Sequence, residues 1–519
     1  MCNEDLDEPD SDRYTLAAYS SVIGKRFPKR GGYGMGGLRR VAMIATVLAL
    51  VACSGSTPPV QSSAPVTLKL MDFSSEQVAF HKQVADEYNR LNPNVTIQWQ
   101  SIAQAQYEQT LPLAFQSKQA PDIFYWQKQS SNTMNWLLSN GWITTVSPDG
   151  KVPSDWTKRW PAGSFQNGIN MKNGKVYGFP WQDTQFWGPG YMYMNKAVFA
   201  QAGLDLNQPP TTWSQLADTC ATIKSKTKAY CMAVPMKGTD WQRIWYAMAA
   251  GNMTDLFFDY KNGRFDLDDP RMLETFGYLQ KLYSKGYFAP GVQDKAFSRQ
   301  QFAAGQAAIY MDGPWMVSVW DQLGFHSDGY AVAAHPNPDG GAKGALASLN
   351  ATNAYWVSSQ SQNPAEAWKF IQWMTNPTGF FVQNFLQNQF ATLAFADSKK
   401  FLTDPAWQQI FKIGGTKGFR VNYPDPLLKC PAISESNAYT AAAALHPNWE
   451  HQVMIEAITS NKDLKPAAQT VVSTRQQALE SALQKEAASG LKVSASCYAF
   501  GPNGWDYTQS FNPTSYPKS

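Results

Sequence analysis

The sequence predicts an α/β fold in two lobes, and three observations support this. The chain has 519 residues, more than one ordinary hydrophobic core can serve, so two or more lobes are expected. Segments with strand patterning alternate with segments of helical spacing, which is typical of α/β proteins. Several predicted strands run into loops that set an aromatic residue beside polar groups, and such loops are where α/β sheets bind ligands.

The first predicted unit is a strand, a helix and a second strand. An apolar run at residues 66–71 precedes Ser74 and Gln77, whose spacing is that of a capping box, so a helix is expected to begin there. Apolar residues then recur at helical spacing until Pro93 stops the pattern. Residues 95–99 alternate apolar and polar side chains, as in a half-buried strand.

The later elements continue the same alternation, and no internal repeat is evident. Further strands are expected at residues 122–126, 191–194, 307–311 and 350–358, and residues 175–181 lead through a turn towards 191–194. Helices are expected at 213–224, 269–285, around 367–374 and within 448–488. The strand at 307–311 leads into Asp312-Gly313-Pro314-Trp315. A short tail that carries Cys497 ends the chain.

Residues 1–52 contain the pattern of an export signal. Arg39 and Arg40 precede an unbroken apolar run, residues 41–52, which suits a signal-peptide core. The run is shorter than the roughly 20 residues that a membrane-spanning helix needs. It ends at Cys53 in a context that resembles the bacterial lipobox, whose cysteine is lipidated before cleavage. We therefore expect export to the periplasm or the extracellular side, with a lipid on Cys53 as the membrane anchor.

The segment after this signal is interpreted as a flexible tether, and the segment before it as an N-terminal extension. Residues 54–65 are rich in Ser, Gly and Pro, and this composition predicts a flexible tether between the lipid and the folded chain. Met35 opens a conventional signal peptide with its own basic region. The polar stretch at residues 1–34 is therefore interpreted as an extension from a start codon placed too early.

The cysteines agree with export. Of the six, the first two would be removed or acylated, and four in an oxidising compartment favour disulfides over free thiols. Cys220 and Cys231 flank a predicted helix-to-strand turn, so the favoured pairing joins these two and joins Cys430 to Cys497. Zinc is the alternative, but no C-x-x-C spacing or nearby histidine supports it.

The composition gives no sign of a nucleic-acid partner. The chain has 44 basic and 40 acidic residues, a formal net charge of +4, and several of the basic residues precede residue 41 in the segment expected to be removed. The 19 Trp and 23 Tyr residues have apolar faces and polar edges that suit a wet binding surface. Because a large core also uses aromatic residues, their positions must decide between the two roles.

Four segments of the mature chain carry a more specific signal through their order. They are Ala120-Pro121-Asp122-Ile123, residues 178–181 followed by 193–196, residues 302–308 and residues 363–370. Together they resemble the extracellular solute-binding proteins of family 1, the maltose and oligosaccharide type that serves ABC importers. The resemblance covers nearly all of residues 66–490.

This resemblance implies two α/β lobes joined by a hinge, with the ligand held in the cleft between them. The first lobe is expected to comprise about residues 66–180 plus part of 325–400, and the second about 185–320 plus part of 400–500, within a domain that spans 66–519. The lobes would close over the ligand, and importer permease subunits would recognise the closed form. The family implies a monomer without cofactor, metal or catalytic step.

Sugars combine an apolar C–H face with a rim of hydroxyls, so their sites need aromatic rings together with carboxylates and amides. Position in the family gives candidate ligand-binding residues in three places. Those in the first lobe are Phe73, Ser74, Gln77, Trp126 and Gln127, and those at the crossing between the lobes are Trp181 and Asp183. Those in the second lobe are Trp241, Gly313, Trp315 and Asn353. The alternative for each tryptophan is packing in a core.

Other residues near these candidates have competing interpretations. Gln77 could simply cap its helix, and Asp122 is expected to orient a turn rather than to contact a ligand. Arg420 and Tyr423 lie in a loop that could also line the cleft. Residues 350–353 replace the Gly-Gly pair of many family members with two asparagines, whose amides could add hydrogen bonds to the ligand.

An exported glycoside hydrolase is one alternative function, since it would use similar aromatic residues with two carboxyl groups about 5–10 Å apart. Asp183, Asp240 and Asp312 are the candidate acids. The resemblance to a non-catalytic family argues against this, and the mature chain has no H-E-x-x-H, G-x-S-x-G or Walker A motif. We therefore expect a receptor and not an enzyme.

A second alternative keeps the fold and changes the ligand to a polyamine, a phosphate ester or a peptide. Polyamine sites need several carboxylates around aromatic rings, and phosphate sites need clustered Arg or Lys. The aromatic segments carry few acids each and little Arg beyond Arg243, so an uncharged mono- or oligosaccharide is the preferred ligand. The five His residues are scattered without a metal-ligand spacing.

Overall fold

The computed structural model describes residues 64–126, 133–253, 257–291, 293–348, 353–446, 448–501 and 507–511. The predicted lipid-bearing Cys53, the tether up to residue 63 and the candidate ligand residue Gln127 lie outside these ranges. Across the described residues, the helices are all too short or too polar to cross a bilayer.

The strands are mostly short and buried, with the longest at the start of the first sheet. They are β1 (Val66–Asp72), β2 (Val95–Ser101), β3 (Ile123–Tyr125), β4 (Met171–Lys172), β5 (Lys175–Val176), β6 (Tyr191–Asn195), β7 (Tyr230–Met232), β8 (Phe258–Asp259), β9 (Arg264–Phe265), β10 (Ala307–Asp312), β11 (Tyr330–Ala334), β12 (Leu346–Ser348), β13 (Tyr355–Val357) and β14 (Arg420–Asn422).

The helices alternate with these strands and then dominate the last third of the chain. They are α1 (Val78–Leu91), α2 (Gln104–Gln116), α3 (Thr133–Ser139), α4 (Ser154–Thr157), α5 (Lys196–Ala202), α6 (Trp213–Lys226), α7 (Gln242–Asn252), α8 (Pro270–Ser284), α9 (Lys295–Ala303), α10 (Met316–Gln322), α11 (Pro364–Met374), α12 (Phe380–Gln387), α13 (Pro405–Gly414), α14 (Pro426–Lys429), α15 (Ala438–Ala443), α16 (Trp449–Thr459) and α17 (Lys465–Ala488).

The first sheet has the strand order β13-β3-β1-β2. β1 pairs in parallel with β2 and β3, while β13 pairs antiparallel with β3. The carboxyl ends of the three parallel strands therefore meet at one edge, together with the amino end of β13. Residues 73–77, Trp126 and Asn353 follow or precede these strand ends, which brings three of the predicted binding segments to the same edge.

The second sheet has the strand order β11-β6-β10-β7. β10 is parallel to β7 and antiparallel to β6, and β6 is antiparallel to β11. The end of β10, where Asp312 leads into Gly313 and Trp315, therefore lies beside the start of β6. The chain enters β6 through residues 177–190, the crossing segment between the two sheets.

Hydrophobic packing connects the two lobes. One cluster of buried side chains includes Leu70 of β1, Tyr193 of β6 and Tyr310 of β10, together with Trp181 from the crossing segment. A second cluster lies within the second lobe and gathers helices α5 to α8 with α16 and α17. The α/β fold in two lobes, expected from the sequence, is confirmed.

Two local predictions need correction. The helix expected at Ser74 begins at Val78 after a single 3-10 turn, and the Ser74 side chain accepts no capping bond from the described part of that helix. Both backbone donors of a capping box have other partners, since Gln77 N–H donates to the Ser74 carbonyl at 2.8 Å and Ser74 N–H donates to the buried Asp72 Oδ1 at 3.2 Å. The strand expected at 350–358 is shorter and spans only Tyr355–Val357 among the described residues.

The cysteines pair as the sequence favoured. Cys220 of α6 is bonded to Cys231 of β7, across the helix-to-strand turn. Cys430, which follows α14, is bonded to Cys497 in the tail. The second bond links the tail to the second lobe, where Phe511 also donates its N–H to the Asn422 carbonyl at the end of β14.

Candidate functional site

The loop after β1 projects Phe73 and Glu76 from the first lobe. Phe73 is half-buried, and its ring meets Tyr125 edge-on at 4.9 Å and Tyr107 at 5.7 Å. Glu76 reaches solvent, yet protein surrounds it on most sides, and this burial raises the pKa of its carboxyl. A side chain that reaches solvent while protein surrounds it on most sides is typical of the wall of a cleft.

A buried polar network fixes the base of this loop. Asp72 accepts hydrogen bonds from Ser74 N–H at 3.2 Å and from the Trp99 indole at 3.0 Å. His81 lies flat against Trp99, with ring centroids 3.9 Å apart, and its Nε2 is 3.6 Å from Asp72 Oδ2. Burial raises the pKa of Asp72 to about 7 and lowers the pKa of His81 to about 3, so the histidine is held neutral. The network keeps the loop rigid.

Asp312 is the electrostatic centre of the second lobe. Its carboxylate is fully buried, with Arg243 Nε at 3.0 Å from Oδ1 and Arg299 Nη2 at 2.9 Å from Oδ2. The Gly313 N–H donates to Oδ1 at 2.9 Å. Burial alone would raise the pKa of Asp312, but the two guanidinium groups outweigh burial and hold it below its ordinary value. Asp312 therefore orients both arginines at the end of β10.

Lys295 joins this arginine pair and reaches the other lobe. Its Nζ donates to Gln104 Oε1 on α2 at 2.8 Å, a direct contact between the lobes. Burial and the neighbouring Arg243 and Arg299 lower the pKa of Lys295 to about 8. Lys295 and Arg299 are also close enough to Glu76 to act against the rise in its pKa.

Three basic and three acidic side chains thus lie near one another, Glu76 from the first lobe and the other five from the second, a set that we call the charged cluster. Its members are Glu76, Asp240, Arg243, Lys295, Arg299 and Asp312. Because the numbers of the two signs are equal, the cluster offers donors and acceptors without a large excess of either charge. Such a set can hydrogen-bond hydroxyl groups in pairs.

An aromatic pair lies beside the charged cluster. The rings of Trp187 in the crossing segment and Trp315 after β10 have centroids 4.8 Å apart and planes inclined by 58°. Both side chains are half-buried, so each keeps part of its surface open. A Cβ on Gly313 would collide with the Trp315 ring, so this position needs glycine for the ring to lie against the backbone. Two inclined rings form an apolar corner next to the polar groups.

The predicted residues divide into two groups by environment. Phe73, Ser74, Gln77, Asp183 and Trp315 are partly accessible. In contrast, three predicted tryptophans are buried in cores, where Trp126 is 7%, Trp181 2% and Trp241 1% exposed. Trp181 packs against Tyr355 and three phenylalanines, and Trp241 donates its indole N–H to His451 Nδ1 at 3.1 Å. Their surroundings match core packing, the alternative raised for each tryptophan.

Other predicted positions have structural partners. Asn353 is 8% exposed, donates its amide to the Ile169 carbonyl at 3.0 Å and is held within the first lobe. Tyr423 donates to the Ala345 carbonyl at 2.9 Å inside a small apolar cluster. Asp122 accepts from Lys69 N–H at 2.8 Å and Ser361 Oγ at 2.6 Å, so its carboxylate joins β1 to the residues that follow β13.

The three carboxyl groups considered for a hydrolase have different environments. Asp312 is buried and occupied by two arginines, which leaves no proton for acid catalysis because its pKa is lowered. Asp240 accepts from Arg243 at 3.2 Å. Asp183 is half-buried with a pKa raised by burial, and its Oδ1 accepts from Gln185 N–H at 3.0 Å.

Sequence reasoning missed Trp187, Glu76, Lys295 and Arg299. One signal could have found two of them, because Lys295 and Arg299 are four residues apart at the start of α9 and so share a helix face. Trp187 belongs to the crossing segment that contains Asp183, but nothing in the local pattern separates it from the buried Trp181.

Comparison with known proteins gives a consistent result. A sequence profile described as bacterial extracellular solute-binding protein matches residues 73–379. The sn-glycerol-3-phosphate-binding periplasmic protein of Yersinia pseudotuberculosis is 26% identical over 237 residues, which cover 44% of this chain and 51% of that protein. The chain therefore spans about half the length of the curated relatives that it matches first.

Solved structures share the fold over a larger part of the chain. An ABC transporter solute-binding protein from Thermotoga lettingae, bound with α-D-tagatose, is 20% identical with a TM-score of 0.63 and covers 80% of this chain and 100% of its own. The GacH receptor of Streptomyces glaucescens, solved unliganded and with acarbose, is 15% identical with a TM-score of 0.58 and covers 80% and 99%. At these identities the likeness concerns the fold alone.

Proposed function

Because the chain belongs to the bacterial extracellular solute-binding protein family, we propose that it captures an uncharged carbohydrate between its lobes and delivers it to an ABC importer. The observation that carries this proposal is the Trp187–Trp315 corner beside the charged cluster. An aromatic corner suits the C–H face of a pyranose or furanose ring, and paired donors and acceptors suit its hydroxyls.

The charges of the cluster favour a neutral ligand over an ionic one. Arg243 pairs with Asp240 and Asp312, and Arg299 pairs with Asp312, so the two guanidinium groups meet two carboxylates before any ligand arrives. A phosphate would need uncompensated cations, and a polyamine would need an excess of carboxylates. Hydroxyl groups need only directed donors and acceptors, which this set offers.

Closure of the lobes would couple binding to transport. The Lys295–Gln104 hydrogen bond, 2.8 Å long, joins the lobes in the present conformation, and the ligand would add contacts on both sides of the same gap. A ligand shifts the equilibrium toward the closed form only by its higher affinity for that form. We propose that importer permease subunits recognise the closed form.

A thermal-shift screen tests the ligand class. The full chain is heated with mono- and oligosaccharides and polyols, and in parallel with glycerol phosphates, spermidine and short peptides. We expect a neutral carbohydrate to raise the melting temperature, because a ligand at 100 times its Kd stabilises the folded state by about 2.7 kcal/mol. Shifts with only charged ligands would refute the carbohydrate assignment, and release of reducing ends would refute the receptor assignment.

A phosphate ester of a polyol is the second candidate, and one observation favours it. Burial and the nearby Arg243 and Arg299 lower the pKa of Lys295 to about 8, so a bound anion would relieve the repulsion from the two arginines. Several relatives of the chain are named as sn-glycerol-3-phosphate-binding proteins.

The pH dependence of binding separates the two candidates. A phosphate ester is a dianion above about pH 7, so any further change with pH arises in the protein. An anion would raise the pKa of Lys295, and its affinity would then fall as pH rises through about 8, with proton uptake on binding. Calorimetry in buffers of different ionisation enthalpy measures this uptake, and Lys295→Met should abolish it. A carbohydrate should bind without this uptake.

We also propose that the lipid on Cys53 and the tether at residues 54–65 keep the receptor near its importer, which would raise the effective concentration for delivery. Metabolic labelling with a radioactive fatty acid is the test. We expect label and membrane association in the wild type and their loss in Cys53→Ala. Label that persists in Cys53→Ala would contradict the anchor.

A further inference from the structure

We infer that Arg420 is a positioning residue that holds Trp187 against Trp315. The sequence allowed Arg420 as a cleft-lining residue, but the structure directs its guanidinium at the backbone of the crossing segment. Nη2 donates to the Gly188 carbonyl at 3.0 Å and also to the Pro189 carbonyl, directly after Trp187. This inference rests on the proposed function, since it concerns the aromatic corner of the proposed site.

The remaining guanidinium atoms are directed at other parts of the protein or shielded from solvent. Nη1 donates to the Ala347 carbonyl of β12 at 3.2 Å. Nε is shielded from solvent and has no acceptor among the described residues, so a ligand could reach it only if the protein moved. Arg420 therefore ties the crossing segment to the β12–β14 sheet, and its effect on binding would be exerted through Trp187.

The turn that Arg420 holds requires glycine on both sides of Pro189. Gly188 has φ of +113° and Gly190 has φ of +134°, a region that other residues rarely adopt. A Cβ on Gly188 would lie 3.2 Å from Arg420 Nη1, and one on Gly190 would collide with Leu346. The backbone thus approaches the guanidinium closely enough for short contacts to its carbonyls.

On its other side, Trp187 follows a firmly packed residue. The Phe186 ring meets Phe411 at 5.0 Å, and the Phe186 carbonyl accepts from the Tyr191 hydroxyl at 3.1 Å. The Trp187 N–H donates to the Asp183 carbonyl at 3.2 Å. With Phe186 packed before it and the carbonyls of residues 188 and 189 held after it, the direction of the Trp187 side chain is set from both ends.

Arginine suits this task better than lysine. Its planar fork presents several N–H groups at fixed angles and can hold three carbonyls at once, whereas an ammonium on a flexible stem is a single point of donation. The guanidinium also lies 5.6 Å from the centroid of the Phe419 ring, which restricts its orientation. We therefore expect lysine to replace arginine only in part.

Circular dichroism of the full chain provides a readout that is independent of any ligand. Two indoles 4.8 Å apart and inclined by 58° should couple as an exciton pair in the far ultraviolet. The signal of this pair, which we call the couplet, is the difference between the circular dichroism spectra of the wild type and Trp187→Phe. We expect Arg420→Ala to lose most of that difference signal, Arg420→Lys to lose part of it, and added guanidinium ion to restore it in Arg420→Ala.

Arg159→Ala is the matched control. Arg159 is also half-buried, and it donates to the Gln372 carbonyl at 2.8 Å. Gln372 lies far along the chain from the crossing segment. This variant should keep the couplet. If Arg420→Ala is too unstable to purify, the partial loss of the signal in Arg420→Lys, measured against Arg159→Ala, carries the comparison.

Binding is measured in parallel on a carbohydrate that shifts the wild type in the thermal screen. We expect Kd to rise by roughly tenfold in Arg420→Ala, the order expected when an aromatic anchor is displaced. A couplet unchanged in Arg420→Ala would overturn the inference, and weak binding with an unchanged couplet would identify Arg420 as a direct ligand contact. If no carbohydrate binds the wild type but the couplet is lost in Arg420→Ala, the proposed function fails while the positioning role stands.

Discussion

Asp312→Asn is expected to destabilise the protein by about 3–5 kcal/mol, because it leaves two arginines at the end of β10 without their shared counter-ion. Arg243 and Arg299 are largely buried, with side chains 11% and 14% exposed. Asparagine has the same shape but no charge, so the effect measures the electrostatic role of the carboxylate and not its volume.

The effect should depend on pH in a defined direction. The pKa of Asp312 is lowered in the folded protein, so its stabilising contribution is present above the pKa of the unfolded chain and is lost as pH falls through the folded-state value. Urea unfolding at neutral and acidic pH measures this. We expect the difference in unfolding free energy between wild type and variant to be large at neutral pH and to shrink in acid.

Asp86→Asn is the control for removal of one carboxylate. Asp86 pairs with Lys82 on the surface of α1, and its side chain is 67% exposed. Its replacement should change stability by no more than about 0.5 kcal/mol. Equal effects of the two substitutions would show that Asp312 does not organise the arginines.

The largest expected effect on binding belongs to the aromatic corner. Replacing Trp187 or Trp315 with alanine should weaken binding of a carbohydrate by about 2–4 kcal/mol, roughly 30- to 1000-fold in Kd, because such anchors dominate interface energetics. The two rings form one surface at 4.8 Å, so removing the first already exposes the second. The double variant should therefore lose less than the sum of the single losses.

Isothermal titration of the single and double variants measures this coupling. Trp241→Phe is the matched control, because Trp241 was predicted to bind ligand but is 1% exposed in a core. It should lower the melting temperature while Kd stays near the wild-type value. If Trp241→Phe abolished binding and Trp315→Ala did not, the assignment of the corner as the ligand site would be wrong.

Local sequence signals predicted several elements well. Helix α8 was expected at 269–285 and spans Pro270–Ser284, because Asp269 caps it by accepting from Arg271 N–H and Pro270 suits the first turn. Cys220 and Cys231 pair because they are neighbours across one turn. In these cases the interaction that decides the structure lies within a few residues of the chain.

The structure of the loop after β1 was predicted only in part, because it depends on distant residues as well as on neighbours along the chain. Its place after β1 follows from local patterning, but the capping bond predicted for Ser74 depends on what else competes for the first turn. Asp72 accepts the Ser74 N–H because burial places this carboxylate at the loop, an arrangement that also needs Trp99 and His81 from other elements. Such competition cannot be read from spacing.

Local patterning was enough to predict the α/β class, the order of several elements, the favoured cysteine pairing and the segments that meet at the edges of the two sheets. The three-dimensional packing was needed to show that Trp181 and Trp241 are buried while Trp187 and Trp315 stay half-open, and that Arg243, Lys295 and Arg299 gather around Asp312. The two kinds of feature differ in how far apart along the chain the interacting residues lie. Helix spacing and caps depend on neighbours along the chain, whereas the environment of an indole or a buried charge depends on distant residues, such as His451, which is 210 positions from the Trp241 indole that it binds.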